Sequence, residues 1–201
     1  LFSPDTGKWE PGPDMVDPRF DHSATLLADG RLLVVGGEDS QDRRLASAEV
    51  FDPATGAWST AGTMASRRYR HTATLLQSGQ VMVSGGTSEP GSLATAELFD
   101  PSSGTWTKTG AMKTPRQFHV AALLADGRVM VAGGLSASGA ALKSVEFFDP
   151  ARGSWNTGDD LQQARHTTVV AMLDGRHVLL AGGREGTTTL NSAEIYPADA
   201  S

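Results

Sequence analysis

Arg31-Leu32-Leu33-Val34-Val35-Gly36-Gly37 is an apolar run that stops on a glycine pair, and the chain carries three further copies of it. They end at Gly85-Gly86, Gly133-Gly134 and Gly182-Gly183, at spacings of 49, 48 and 49 residues. A period in this range, carried by glycine pairs behind β-rich runs, marks a propeller or a repeat array. The run is apolar at nearly every position, so both its faces need cover. A sheet held between two neighbouring sheets supplies that cover.

Working outward, Asp29-Gly30, Ser78-Gly79, Asp126-Gly127 and Asp174-Gly175 join each run to a preceding strand such as the one from His22 to Leu27, a hairpin signal. Behind each glycine pair lies a variable polar stretch at 38–46, 87–94, 135–142 or 184–190. A third strand follows as Ala48-Glu49-Val50-Phe51, Ala96-Glu97-Leu98-Phe99, Val145-Glu146-Phe147-Phe148 and Ala193-Glu194-Ile195-Tyr196. Asp-Pro and Gly then make a compact turn into a fourth strand that carries Trp58, Trp106 or Trp155, with Trp9 as the first member of the column. Each Trp is expected to wedge between neighbouring units. Met15, Met64, Met112 and Leu161 add one apolar plug per unit, and Arg19, Arg68, Arg116 and Arg165 each stand ten residues after their Trp.

Together the double glycine, the Glu-apolar-aromatic strand, the Asp-Pro turn, the Trp and the Arg-x-x-His motif resemble the kelch repeat over essentially the whole chain. The resemblance implies an all-β propeller in which each blade is a four-stranded antiparallel sheet, its first strand lining a central channel and its fourth outermost. Counting strands gives one domain over 1–201 with four blades. Residues 1–15 are expected to be an outer strand that closes the ring by completing the last blade, with blade 1 at 16–64, blade 2 at 65–112, blade 3 at 113–161 and the first three strands of blade 4 at 162–201. Closure would remove exposed sheet edges. Kelch propellers commonly have six or seven blades, and Leu1 to Pro4 duplicates the part played by Ile195 to Ala198. A slice of a longer array, or a dimer completing a larger ring, is therefore the rival to a closed monomer.

With 39% hydrophobic and 20% charged residues, 23 glycines and 10 prolines, the composition is that of a folded protein rich in short strands and turns. A net charge of −6 without long runs of one sign argues against a phosphate-tracking surface and so against nucleic acid. No stretch reaches the roughly 18 apolar residues of a membrane span. The absence of cysteine removes disulfides, thiolate metal sites and thiol nucleophiles. It also removes the Cys-Tyr crosslink of the copper radical oxidases that share kelch-like blades. The Glu-Asp-His segment of the iron-dependent specifier proteins has no counterpart, and serine hydrolase, phosphate-loop and dinucleotide motifs are absent.

Function in a repeat fold is expected where the variable segments gather. Here that is the face bearing the post-glycine loops and the connectors, whose rim would carry Arg19, Phe20, His22, Arg68, Tyr69, His71, Arg116, Gln117, His119, Arg165 and His166, with Phe118, Asp21 and Arg70 beside them. The Arg column has a structural reading as partner of the Glu column, since Glu49, Glu97 and Glu146 each precede the next Arg by 19 residues. His22, His71 and His119 lie three residues after their Arg. An ungapped alignment gives Thr168 the fourth place; a gapped one gives it to His166. Imidazoles converging there could bind zinc or copper, or hydrogen-bond the backbone. The leading expectation is a non-enzymatic module that binds a protein or a glycan through this face. An enzyme with a metal or small-substrate site at His22, His71, His119 and His166 is the alternative, and the style of repeat resembles extracytoplasmic proteins.

Overall fold

A computed structural model describes residues 1–197, and every named element in it is a strand. Among the described residues no helix is long and apolar enough to cross a membrane. Three four-stranded antiparallel meanders follow one another. Blade 1 is Ser23–Leu26, Leu32–Val35, Ser47–Asp52 and Ala57–Thr63; blade 2 is Thr72–Leu75, Val81–Ser84, Ala96–Asp100 and Thr105–Lys108. Blade 3 is Val120–Leu123, Val129–Ala132, Val145–Asp149 and Ser154–Thr157. Blade 4 has three strands, Val169–Met172, His177–Ala181 and Ala193–Pro197.

Cores form between successive blades, as the apolar second strands require. Leu33, Val35 and Val50 of blade 1 meet Val81, Val83 and Phe99 of blade 2. Leu76 and Met82 of blade 2 meet Val129 and Phe148 of blade 3, and Met130, Val145 and Phe147 of blade 3 meet Val178, Leu180 and Tyr196 of blade 4. Met64, Met112 and Leu161 are buried plugs. Each Trp faces its third-strand aromatic, Phe51 with Trp58, Phe99 with Trp106 and Phe148 with Trp155, at ring centroid distances of 5.0–5.2 Å. Their indole N–H groups donate across the junction to Pro13 O, Ala61 O and Gly110 O of the preceding unit. The expected wedge is thus a bridge of ring packing and one hydrogen bond.

Hairpins form at the Asp-Gly sites, with Gly30 N–H donating to Leu27 O and Leu27 N–H to Arg31 O, a turn relaxed by a glycine at φ +88°. The glycine pairs do a different job. Gly86 has φ +89°, and a Cβ there would stand 2.6 Å from Tyr69 O and 2.8 Å from the His71 Cβ. Backbone and channel strand approach too closely for any side chain. Gly86→Ala should lower stability by about 2 kcal/mol through positive φ and this contact together, read from chemical unfolding; a loss below about 0.5 kcal/mol would show that the strand can step aside.

The N-terminus departs from expectation. Lys8–Trp9 pairs with Phe2–Ser3, not with Ala193–Pro197, so residues 1–15 do not complete blade 4. The reason is local. Leu1-Phe2-Ser3 is itself a copy of the third-strand sequence, and the turn closed by Gly7 N–H on Ser3 O brings it against Lys8–Trp9 within a few residues. Reaching blade 4 means closing a loop of most of the chain, which costs more entropy. Accordingly Leu26, Val169 and Ile195, on the outward faces of blades 1 and 4, stay 64, 69 and 58% exposed.

Candidate interaction site at the rim of the blades

The variable segments do share one end. Phe20, Tyr69, Gln117 and His166 form isolated bridges to Glu38, Thr87, Leu135 and Arg184, so each connector is paired to the loop behind its own glycine pair. This also settles the alignment of the fourth unit. His166 stands in the column of Phe20, Tyr69 and Gln117, and Thr168 in that of the histidines, its Cβ beside Gly183 as His22, His71 and His119 stand beside Gly37, Gly86 and Gly134.

Arg19, Arg68, Arg116 and Arg165 are buried and point into the blades. Arg68 donates from Nη1 to Gly85 O and Thr95 O and from Nη2 to Thr95 Oγ1 and Glu97 Oε1 at 2.8 Å. Glu97 in turn accepts the Ala65 and Ser66 N–H groups at 2.7 and 3.1 Å. The same clamp joins Arg19 to Glu49, Arg116 to Glu146 and Arg165 to Glu194. Each pair lies within one blade, with the Arg ahead of its Glu, so the pairing of a Glu with the Arg 19 residues later is corrected. The third strand carrying the Glu lies beside the second strand whose terminal glycine carbonyl the same Arg binds, and the next blade's Arg sends only its backbone carbonyl across.

His71 and His119 are bonded across the blade junctions. His71 Nε2 is 2.8 Å from Ser23 Oγ and His119 Nε2 is 2.9 Å from Thr72 Oγ1, each across a blade junction. At the next junction Val120 and Thr168 replace hydroxyl and imidazole. Burial, with the Arg68 charge beside it, pushes His71 down to about 3, and burial with Arg116 takes His119 well below its ordinary value. Burial and Arg19 lower His22 less completely. His71 and His119 each face a hydroxyl of the preceding blade, and among the described residues no group of three His, Cys, Asp or Glu side chains is placed to hold a metal.

What lies on the rim is a column two residues after each Arg. Asp21, Arg70, Phe118 and Thr167 have φ of 51, 56, 54 and 52°, the left-handed region that such side chains rarely adopt. A backbone ladder holds them there: Arg70 N–H donates to Asp21 O, Phe118 N–H to Arg70 O and Thr167 N–H to Phe118 O, at 3.0–3.1 Å. Such strain persists where surrounding structure over-determines it, and it gathers at functional sites. The Arg70 guanidinium lies 4.7 Å from the Tyr69 ring centroid and 4.5 Å from that of Phe118, with Nε on Asp21 Oδ2 at 2.9 Å. Arg44 lies 5.6 Å from the Tyr69 ring centroid and pairs with Glu89. Beside them a cleft of about 310 Å³ is lined by Asp42, Arg43, Arg44, Arg67, Ser88 and Glu89.

A family model described as the KLHDC2/KLHL20/DRC7 Kelch-repeats domain matches residues 1–183. The chain belongs to the kelch-repeat family. A search of curated proteins found no match. Kelch-repeat domains generally mediate protein–protein interaction.

Of the expected rim residues, the structure keeps Phe20, Tyr69, Gln117 and His166 at the loop-rich end, leaves His22 exposed, and takes the four arginines, His71 and His119 into the blades. Arg44 and Thr167 were missed by sequence reasoning. Thr167 was recoverable from its constant offset of two from the Arg column. Arg44 sits in the variable loop and has no counterpart to mark it.

Proposed function

We propose that this kelch domain is a protein-binding module whose contact surface is the rim centred on Arg70, Tyr69 and Phe118. The observation that supports it most is the guanidinium stacked between two aromatic rings, on a residue held in a left-handed conformation by the inter-blade ladder. Stacked Arg and aromatic side chains held rigid before contact lose little entropy on binding, and Arg and Tyr are enriched at the centres of interfaces. Asp21 engages Nε, which leaves the terminal nitrogens for a carboxylate or backbone carbonyl of the partner. The charged cleft beside Arg44 supplies a polar border, and the packed blades beneath are the scaffold.

Affinity capture from an extract of the source cells, comparing wild type with Arg70→Ala and Phe118→Ala, tests this. Both variants are expected to lose the captured partner by about tenfold or more, as truncated hot spots do. The Arg70→Ala protein should unfold within about 1 kcal/mol of wild type, because the Arg70–Asp21 pair is partly solvent-exposed. Equal capture by wild type and variants would remove the rim from the contact surface.

A further inference from the structure

Blade 4 has a strand position that no strand fills among the described residues. Ala193–Pro197 pairs with His177–Ala181 on one side, and its other edge borders a groove of about 230 Å³ lined by Asp159, Asp160, Glu194, Ile195 and Tyr196. In blades 1 to 3 that position holds a strand whose Trp stands opposite the third-strand aromatic. Tyr196 has the aromatic's place, and its hydroxyl is buried without a hydrogen-bond partner.

The adjoining face of blade 4 is open as well. Leu173 is 52% exposed, whereas its counterparts Leu27, Leu76 and Leu124 are 2–4% exposed beneath the next blade. Gly37, Gly86 and Gly134 donate their N–H groups to the Arg carbonyl of the next blade at 2.8–2.9 Å, and Gly183 has no such bond among the described residues.

We propose that a second copy of this chain fills both vacancies: its Lys8–Trp9 strand completes blade 4, and its blade 1 packs on the open face. Trp9 is 79% exposed and held in a two-residue pairing that is readily given up. The ten residues from Trp9 to Arg19 equal those from Trp58 to Arg68 and from Trp106 to Arg116. A sheet that takes Trp9 as its fourth strand must therefore sit one junction ahead of blade 1, in the geometry of the three junctions already present. Arg19 O then meets Gly183 N–H, and Leu26, itself exposed, covers the apolar stripe of Val169 and Leu173. One contact is not reproduced: His22 faces Val169, which has no hydroxyl, much as Thr168 and Val120 do without that bond at the junction before it.

Native mass spectrometry and sedimentation of the untagged full chain across a concentration series should show a concentration-dependent dimer. Trp9→Ala should weaken it by about tenfold or more, since one cross-strand aromatic and its burial are lost. By the ladder of blade 2, where Phe99 faces Trp106 and Leu98 faces Thr107, Tyr196 would face Trp9 and Ile195 would face Glu10. The chain has no cysteine, so a trap is clean. Mixing Glu10→Cys protein with Ile195→Cys protein should give a disulfide-linked heterodimer. A monomer at every concentration, or a dimer indifferent to Trp9→Ala, overturns the proposal. So does a double variant, Glu10→Cys with Ile195→Cys, that closes its disulfide within a monomer, because the chain then completes its own blade.

Discussion

Glu97→Ala should lower the unfolding free energy by about 3–5 kcal/mol, the range for breaking a buried ion pair from one side. Glu97 is 2% exposed and takes three donors, from the Arg68 side chain and the Ala65 and Ser66 backbone. Its removal leaves the Arg68 guanidinium, whose side chain has no exposure, without its counter-charge. Burial already pulls the Arg68 guanidinium below its ordinary range, and the Glu97 hydrogen bond and charge are what oppose it. Arg68→Met combined with Glu97→Leu should cost clearly less than the sum of the single changes, because no lone charge then remains inside. Urea unfolding of the two single variants and the double one checks this. A Glu97→Ala loss under about 1 kcal/mol would mean that water reaches the guanidinium and the clamp is not buried in solution. The equivalent change at Glu194, whose side chain is 15% exposed, should cost less.

The clamp also ties stability to the rim. Arg68 seats the connector from inside the blade, and the next two residues are Tyr69 and Arg70, which stack on the surface. Its own carbonyl accepts the Gly37 N–H of blade 1, so one residue fixes blade, junction and rim together.

Architecture was legible because it repeats: the apolar second strands, glycine pairs and tryptophans each mark a position that every unit needs. Repetition hid the pairing for the same reason. The 19-residue step from each Glu to the next Arg is the same in every unit, whereas the step from Arg to Glu that the fold uses is 29 or 30 residues because it spans the variable loop, so the more regular offset was the misleading one. The histidine column was ambiguous in the same way, though a second column held the answer. Ser23 and Thr72 face His71 and His119 of the following blade, and at the third junction the same two columns hold Val120 and Thr168. Hydroxyl with imidazole and valine with threonine are what a contact across a junction produces. Asp21, Arg70 and Phe118 were expected at the rim, but that they form one column with Thr167 was not legible, because the four share a backbone conformation and no chemistry. The N-terminal strand was misplaced because Leu1-Phe2-Ser3 fits two roles, and loop length decides between them.

Acid should destabilise this protein well before its carboxylates are protonated. His71 and His119 are neutral in the fold, pushed to about 3 and well below the ordinary value, whereas an unfolded histidine titrates near 6.5. Their Nε2 atoms are occupied by Ser23 and Thr72, and their Nδ1 atoms are buried without a partner. Whichever nitrogen takes it, a second proton would create a buried charge beside Arg68 or Arg116, with an Nδ1–H that has no acceptor. The folded pKa lies below the unfolded one and the charged form is the protonated one, so the unfolded state binds more protons as pH falls. Stability is therefore level above about pH 6.5 and declines below it by about 1.4 kcal/mol per pH unit for each histidine, or about 4 kcal/mol for the two at pH 5. The depressed carboxyls of Asp29, Asp100, Asp149 and Asp174 act in the same direction but only below about pH 4, which leaves pH 5–6.5 to the histidines. Urea unfolding across that interval should show the decline in wild type and a much flatter profile in His71→Gln with His119→Gln, whatever the stability of that variant at pH 7. An equal slope in both proteins would place the acid sensitivity elsewhere. Because these two histidines bridge blades 1, 2 and 3, the first loss in acid should be at the junctions, where hydrogen exchange of Gly37 and Gly86, whose N–H groups are bonded across them, should rise before that of the strand interiors.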